Sequence, residues 1–378
     1  MRAFVFTDKA LAKHAGQFVW LSIDTEKAQN ADFSKKYPIR AWPSLYVIDP
    51  SRERIALRWV GGATVSQLEK LFADGTKAIN GAGGGSAAAL AKADALYGAG
   101  RYGEAVAPFR EALRSMKPKD PRYARVVESL LYCYQTARQP AECARLAREA
   151  IAPLRETASA ANVAASGLDC SLSLPAGAPG RAESVAAFEA DVRAILDDPR
   201  QKLVADDRSA LFSVLVDARK EAKDAAGAQR LANRWVAELD EAAARAATPE
   251  QRTALDPNRL SAFEAAGRLE GAVPMLESSE RDFPEDYNPP ARLAYVYLHL
   301  QRYDEAQTAA DRALARVYGP RRIRVLTTIA DIQKGRGDPA AARKTLEDAV
   351  AYAQALPEGQ RSEEQIASLK HRLDAISP

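Results

Sequence analysis

The chain of 378 residues is longer than a single hydrophobic core usually organises, so we expect two units, or one unit joined to an extended array. Hydrophobic residues make up 47% of the chain and charged residues 27%, and no apolar run approaches the roughly 20 residues of a membrane helix. The 53 Lys and Arg residues and the 50 Asp and Glu residues are interspersed, which argues against a nucleic-acid partner.

In residues 1–79 the hydrophobic periodicity changes about every ten positions, which predicts short helices and short strands. In chain order the pattern predicts a helix ending near residue 14, a strand at 18–24 and a helix at 28–36. A loop at 37–44 follows, then strands at 45–48 and 55–60, and a helix at 64–72 after Gly61 and Gly62. The first region is therefore expected to be α/β.

This order of elements, with Ile39-Arg40-Ala41-Trp42-Pro43-Ser44-Leu45 entering the strand pair, resembles the thioredoxin superfamily over residues 1–79. The resemblance implies that Trp42, Pro43 and Ser44 form a cis-proline loop that lines a substrate-binding surface. An ordinary trans proline at a strand start is the alternative. The resemblance also implies a central strand and a CxxC motif upstream of Met1, and no side chain in residues 1–79 replaces that dithiol.

Without that central strand, the sheet is expected to be incomplete. The strands at 18–24 and 45–48 would then pair directly, or this region would fray. Residues 80–86, Asn-Gly-Ala-Gly-Gly-Gly-Ser, predict a linker rather than a phosphate-binding loop, because no GK[ST] sequence follows them.

From residue 87 onward, one helical motif recurs. Arg-Tyr-x-Glu-Ala occurs at 101–105 and 302–306, and apolar residues follow it at the same steps of four and three, Phe109 and Ala112 in the first copy and Ala310 and Ala313 in the second. The last three copies are spaced by 34 and 36 residues, and the motif resembles the tetratricopeptide repeat (TPR) family over residues 87–378. The resemblance implies an all-α solenoid of six or seven helical pairs, with Ser362 opening a final capping helix and a concave groove that binds a protein or peptide.

Three features of the array leave alternatives open. Pro108 and Pro274 fall inside second helices, so these helices either start late or kink. Residues 171–180 interrupt the array as a loop. Four tyrosines on first helices either line the groove or, as we favour, pack within the array: Tyr97, Tyr134, Tyr295 and Tyr297.

The three cysteines all lie in the array. Helical geometry sets Cys143 level with Cys133 across one turn and with Cys170 across the next. Burial as reduced, small packing residues is the interpretation we favour. A structural disulfide between Cys143 and Cys170 is the alternative, and it requires their Cα atoms to lie within about 7 Å. Neither the cysteines nor the three scattered histidines form a metal-binding pattern, so we expect no metal or other cofactor.

Three functions are weighed. The leading hypothesis is a TPR interaction scaffold carrying a thioredoxin-like domain that is redox-inactive in the chain as given. The alternative is a thiol-disulfide oxidoreductase whose CxxC lies upstream of Met1, and a helical regulator is the third. The compartment stays open: the start of the chain does not read as a signal peptide, which is consistent with the cytoplasm, whereas a longer N-terminus would favour the bacterial periplasm. The partner and the oligomeric state also stay open.

Overall fold

The structure is a computed structural model that describes residues 1, 4–39, 42–80, 86–201 and 203–376. It divides into two compact units that differ from the predicted domains. The first unit contains residues 1–18 and 37–241, and the second contains residues 19–36 and 242–378. Most of the predicted linker, residues 81–85, lies outside the described residues.

The α/β part of the first unit is a hairpin covered by one helix. Strand β1 (Ser44–Asp49) pairs antiparallel with β2 (Arg54–Val60), with Val47 opposite Leu57. The following helix, Val65–Asn80, opens with reciprocal hydrogen bonds between Thr64 and Gln67, a capping box. Its apolar face packs on the hairpin in a core of buried side chains: Val47, Leu57, Trp59, Leu68, Leu71 and Phe72.

The predicted strand at 18–24 is wrong. Among the described residues the sheet has two strands, and residues 18–24 lie outside it, with a bend at Phe18 and no regular secondary structure at 19–24. Val19 and Leu21 are 87% and 69% exposed, whereas a buried strand would cover them. An apolar run predicts burial, but a strand also needs a neighbouring strand whose backbone groups form hydrogen bonds with its own. The expected sheet containing this strand is therefore absent from the described residues, and a thioredoxin fold is not shown.

Two short helical segments precede the hairpin. A 3-10 helix spans Lys9–His14, which agrees with the predicted helix end near residue 14. Helix α1 (Ala31–Lys36) follows a 3-10 turn at Ala28–Asn30, which together match the predicted helix at 28–36. The helix on the hairpin is α2 (Val65–Asn80).

Eight longer helices complete the first unit, and consecutive helices pack in pairs. Ala105, Phe109 and Ala112 are fully buried on the second helix of the first pair, as their steps of four and three predict. The helices are α3 (Ser86–Gly98), α4 (Tyr102–Arg114), α5 (Tyr123–Thr136), α6 (Pro140–Leu154), α7 (Ala160–Leu172), α8 (Arg181–Asp197), α9 (Ala205–Glu221) and α10 (Ala225–Ala244).

The second unit continues the same pattern. Pro274 lies in the first turn of its helix, so that helix starts late, whereas Pro108 lies well inside α4. Ser362 accepts a hydrogen bond from the Gln365 amide and opens the last helix, as predicted. The helices are α11 (Pro249–Thr253), α12 (Asp256–Ala265), α13 (Ala272–Asp282), α14 (Asn288–His299), α15 (Tyr303–Arg316), α16 (Arg321–Gly335), α17 (Pro339–Ala355) and α18 (Glu363–Asp374), with a 3-10 turn at Leu269–Gly271.

The described residues thus contain seven helical pairs, within the predicted six or seven. A left-handed residue ends the first helix of several pairs, including Gly100 (φ 73°) and Gln301 (φ 58°). These two residues hold the same position in the recurring motif, and glycine is favoured there because it lacks the Cβ that strains this conformation. The predicted loop forms the connection from α7 to α8 and ends at Gly180.

Buried polar contacts join the hairpin to the array inside the first unit. Arg58 of β2 is fully buried and donates to the carbonyl of Tyr97 on α3. Arg125 of α5 binds Asp94 of α3 at 2.7 Å and Asp74 of α2 at 3.3 Å, and all three side chains are buried. The α/β part is therefore packed onto the first two helical pairs.

In the second unit, residues 19–36 form a segment that we term the strap. The strap binds the loops that precede α14, α16 and α18. Glu26 accepts hydrogen bonds from the Tyr287 hydroxyl (2.9 Å) and from Arg321 Nε (2.6 Å). Gln360 donates to the carbonyl of Thr25, and Lys35 forms an ion pair with Glu358 at 2.7 Å. One segment thus ties successive repeats together along their edge.

Candidate functional site

The first unit contains a cavity of about 220 Å³ between the end of β2 and the helical array. Successive first helices of the pairs contribute to it: α3, α5, α7 and the start of α9. The first helices of stacked helical repeats commonly line the inner surface of the array. The lining residues are Trp59, Val60, Gly61, Gly62, Tyr97, Glu128, Ser129, Leu131, Tyr132, Gln135, Asn162, Ser166, Asp206 and Asp207.

Glu128 is the central polar side chain of this cavity. Asn162 Nδ2 donates a hydrogen bond to Glu128 Oε2 at 2.9 Å. The other carboxyl oxygen, Oε1, is shielded from solvent and has no hydrogen-bond partner among the described residues. Burial raises the pKa of Glu128 to about 7, although the Ser159 and Asn162 side chains favour the charged form, and the nearby charge of Asp207 adds a smaller upward shift. The carboxyl group is thus poised to change protonation near neutral pH.

Asp207 supplies a second carboxyl group of the same kind. It lies in the first turn of α9, where the helix dipole favours a negative charge. Burial outweighs that preference and raises the pKa of Asp207 to about 7, with the adjacent Asp206 contributing in the same direction. Two carboxyl groups with raised pKa values therefore line one cavity.

Aromatic rings also line this cavity. The Tyr132 ring meets Tyr97 edge to face at 6.0 Å and Tyr102 at 5.2 Å, so its position is fixed by packing. The indole nitrogen of Trp59 donates to the carbonyl of Gly62 at 3.0 Å and holds the Gly61-Gly62 turn. Gly61 has φ 98°, a conformation that favours glycine, so this wall depends on a turn that tolerates few other residues.

The predicted cis-proline loop borders this cavity without lining it. The Trp42-Pro43 peptide bond is cis, and the carbonyl of Pro43 accepts a hydrogen bond from Gly61 N at 2.9 Å. Trp42 is 59% exposed, and the Ser44 hydroxyl accepts a hydrogen bond from Arg58. Arg40 and Ala41 lie outside the described residues. A substrate-binding role for Trp42, Pro43 and Ser44 stays a prediction.

The cysteines lie beside the same helices. The structure brings Cys143 of α6 and Cys170 of α7 together, with their Cα atoms 6.0 Å apart and their sulfur atoms 2.05 Å apart. This is the pairing that the sequence analysis gave as the alternative. Cys133 is a free, buried thiol, and burial raises its pKa to about 12. Cys170 lies one turn beyond Ser166 on α7, so this pair supports a cavity wall.

Of the four tyrosines expected to pack within the array or, as the alternative, to line the groove, Tyr97 is among the cavity-lining residues and is also buried. Tyr134 and Tyr297 are buried in the array, as the packing interpretation expects. Tyr295 is half-buried and donates to Glu264 at 2.6 Å.

Glu128, Tyr132, Asn162 and Asp207 were not predicted from the sequence as site residues. A usable signal was present at Glu128, an acidic residue between buried valines and leucines of one apolar helix. Such a position is costly unless the carboxyl group has a role or a partner.

Two further observations concern metal ligands and membrane-spanning helices among the described residues. They include no group of three or more His, Cys, Asp or Glu side chains placed to hold a metal ion. No helix in the described ranges is long and apolar enough to cross a membrane.

Comparisons with known proteins address the repeats. Residues 287–355 match the tetratricopeptide repeat family. A comparison with curated proteins gives no significant match. Similar solved structures include a tetratricopeptide repeat protein from Parabacteroides merdae, with 10% identity, a TM-score of 0.46, and coverage of 76% of this chain and 98% of that chain.

A second similar structure is the TPR2AB domain of yeast Sti1 in its pHSP90 complex. It has 16% identity, a TM-score of 0.29, and coverage of 76% of this chain and 98% of that one. A third is a thermophilic TPR protein of Thermus thermophilus, with 15% identity, a TM-score of 0.26, and coverage of 77% and 98%. The paired helices and the family match together identify a tetratricopeptide repeat region in this chain.

Proposed function

We propose that this protein is an interaction scaffold and that the cavity of the first unit receives part of a partner polypeptide. The observation that carries the proposal is the lining of one cavity by the first helices of four successive pairs. In stacked helical repeats, the extended inner surface is the one that binds partners.

The size of the cavity favours a peptide over a small-molecule substrate. At about 220 Å³ it is smaller than the ~300–1,000 Å³ of typical small-molecule pockets. It is large enough for one anchoring side chain, while the rest of a bound peptide would lie along the adjoining helices. Such an anchor in a pocket is how a few residues supply most of the affinity of an interface.

We propose further that residues 1–79 are a redox-inactive, thioredoxin-like part of this scaffold. Strands β1 and β2, then Gly61-Gly62 and α2, follow one another in the order that the thioredoxin resemblance implies, which supports this part of the proposal. Residues 1–79 contain no cysteine. Their contribution is the Gly61-Gly62 wall of the cavity. We expect no reduction of insulin disulfides by the purified chain above the rate of the reductant alone, and a catalysed rate would contradict this part of the proposal.

To test the scaffold proposal, the cavity is filled with a bulky side chain. Ser166 lines it, so Ser166→Trp should block entry, whereas Ser173→Trp places the same ring at an exposed position just past the end of α7. Peptides selected from a phage-displayed random 12-residue library on the full chain are then measured against both variants. We expect affinity to fall about tenfold or more for Ser166→Trp only, which corresponds to losing one anchor.

Thermal melts establish that both variants are folded. Selected peptides that bind Ser166→Trp as well as the parent chain, or a selection that yields no binder, would overturn the proposal.

A further inference from the structure

The polar lining of the cavity is acidic. Three carboxyl groups line it, those of Glu128, Asp206 and Asp207, and the lining residues that the structure describes, which exclude position 202, contain no Lys, Arg or His. The remaining polar side chains, such as Gln135 and Asn162, are neutral. Gln135 is turned toward another acid and donates to Asp169 at 3.0 Å. An occupant of this cavity therefore meets acidic groups from both α5 and α9.

Glu128 provides a second observation, which concerns its hydrogen bonding rather than its charge. Its Oε1 atom is buried and lacks a hydrogen bond in the described part of the chain, Asn162 donates to Oε2, and the Ser159 hydroxyl lies near the same carboxyl group. An unpaired buried acceptor costs about 1–3 kcal/mol or more, so the site is incomplete as it stands. Protonation would turn Oε1 into a donor that itself needs an acceptor. A hydrogen-bond donor entering from the cavity would satisfy this atom directly.

We infer that the cavity binds the basic side chain of a lysine or arginine from the partner peptide, with Glu128 and Asp207 as its carboxylate ligands. This inference rests on the proposed function. The Tyr132 ring and Leu131 supply apolar surface for the methylene stem of such a side chain. An aromatic face beside the charged group adds a cation–π attraction.

Charge and donor number both favour a basic side chain over other occupants. A serine or amide group offers a donor but brings no counter-charge to the acidic lining. An acidic or apolar side chain would leave Oε1 unsatisfied and would bring no compensating charge. Lysine and arginine carry several donors and no acceptor, which matches a cavity that presents carboxylates.

The test uses peptides from a phage-displayed random 12-residue library, selected on the full chain. We expect one position rich in Lys or Arg. Replacing that residue with norleucine should weaken binding roughly 30-fold or more, as for a buried charged pair that loses one partner. Glu128→Gln and Asp207→Asn should each have a similar effect on the basic peptide and little effect on the norleucine peptide.

The matched controls are Glu111→Gln on α4 and Asp217→Asn on α9. Both residues are exposed and lie outside the cavity lining, so these variants remove the same charges without touching it. We expect them to change affinity less than about twofold at ~0.15 M salt, where distant surface charges are screened. Thermal melts show whether each variant is folded.

The outcomes separate the two proposals. Peptides without a preferred basic residue, whose binding is lost in Ser166→Trp but unchanged in Glu128→Gln, would overturn this inference and leave the scaffold proposal standing. Equal losses in the cavity variants and in the charge controls would also overturn it, because the attraction would then be a general effect of charge. Peptides insensitive to Ser166→Trp would overturn both.

Discussion

Glu128 links the cavity to the stability of the fold. Its pKa is raised to about 7 from an ordinary value of 4.5, and the charged groups that face it include Asp206 and Asp207. The folded chain thus holds this proton more tightly than the unfolded chain. The stability associated with Glu128 is full below about pH 4.5 and is lost as the pH rises through about 7.

This linkage predicts the behaviour of Glu128→Gln, which cannot ionise. Relative to the parent chain, the variant should gain stability on the order of 2 kcal/mol between about pH 5 and pH 8, because only the parent must ionise a buried group. Thermal melts at intervals of about one pH unit across that range measure the difference. Asp217→Asn, at an exposed position, serves as the control and should show no such trend. A difference between Glu128→Gln and the parent that stays constant with pH would contradict the raised pKa.

The cysteines give a second prediction for single residues. After oxidation with oxidised glutathione, denaturation and alkylation without reductant, mass spectrometry should find one alkylated thiol, Cys133. Reduction before alkylation should label all three. In the native protein Cys133 should resist alkylation, because burial raises its pKa to about 12 and the thiolate is the reactive form. Three labelled thiols without reductant would exclude the Cys143–Cys170 bond.

Arg125 shows how one side chain holds three helices together. It binds Asp94 of α3 and Asp74 of α2 from α5, and all three groups are buried. Arg125→Ala would leave two buried carboxylates unpaired, so we expect a loss of about 3–5 kcal/mol in the free energy of unfolding. Urea denaturation measures it. Arg230→Ala, at an exposed position on α10, is the control and should cost less than about 1 kcal/mol.

The strap offers a prediction about local opening. Glu26→Gln removes the ion pair with Arg321 and weakens the hydrogen bond from Tyr287. We expect backbone amides of residues 24–30 to exchange hydrogen about five- to tenfold faster, which corresponds to ~1–1.4 kcal/mol of lost local stability. Asp32→Asn, an exposed change in the same segment, should leave exchange unaltered. Equal exchange in the parent and in Glu26→Gln would show that other contacts hold the strap.

Local patterns predicted most individual elements. The strands at 45–48 and 55–60, the helix after Gly61-Gly62 and the capping helix at Ser362 are present, because short-range periodicity and capping chemistry decide them. The strand at 18–24 failed because pairing depends on residues far away in sequence. The cavity was missed for the same reason: Trp59, Glu128 and Asp207 come from three distant parts of the chain.

For the whole molecule, the division into units differs from the division that composition suggested. The glycine-rich residues at 80–86 predicted a boundary, yet the hairpin and the first helical pairs form one unit. Arg58 explains part of this, since it is fully buried among the rings of Tyr46, Tyr97 and Tyr102. A glycine-rich composition is a local property of a few residues. The extent of a compact unit depends instead on which surfaces pack together. In the scaffold that we propose, residues 59–62 supply part of the cavity wall together with the repeats.

The strap also determines when the second unit is completed during synthesis. Glu26 precedes Tyr287 by 261 positions, and Lys35 precedes Glu358 by 323. At ~5–20 residues per second, a ribosome needs roughly 13–50 s to pass from the first partner of the Glu26–Tyr287 pair to the second. During that time the strap lacks the partner of Glu26 on the nascent chain. The apolar residues Val19, Trp20 and Leu21 lie at its start. The last repeats therefore receive this edge only after residue 358 has been translated, even if the helices before them fold on the ribosome.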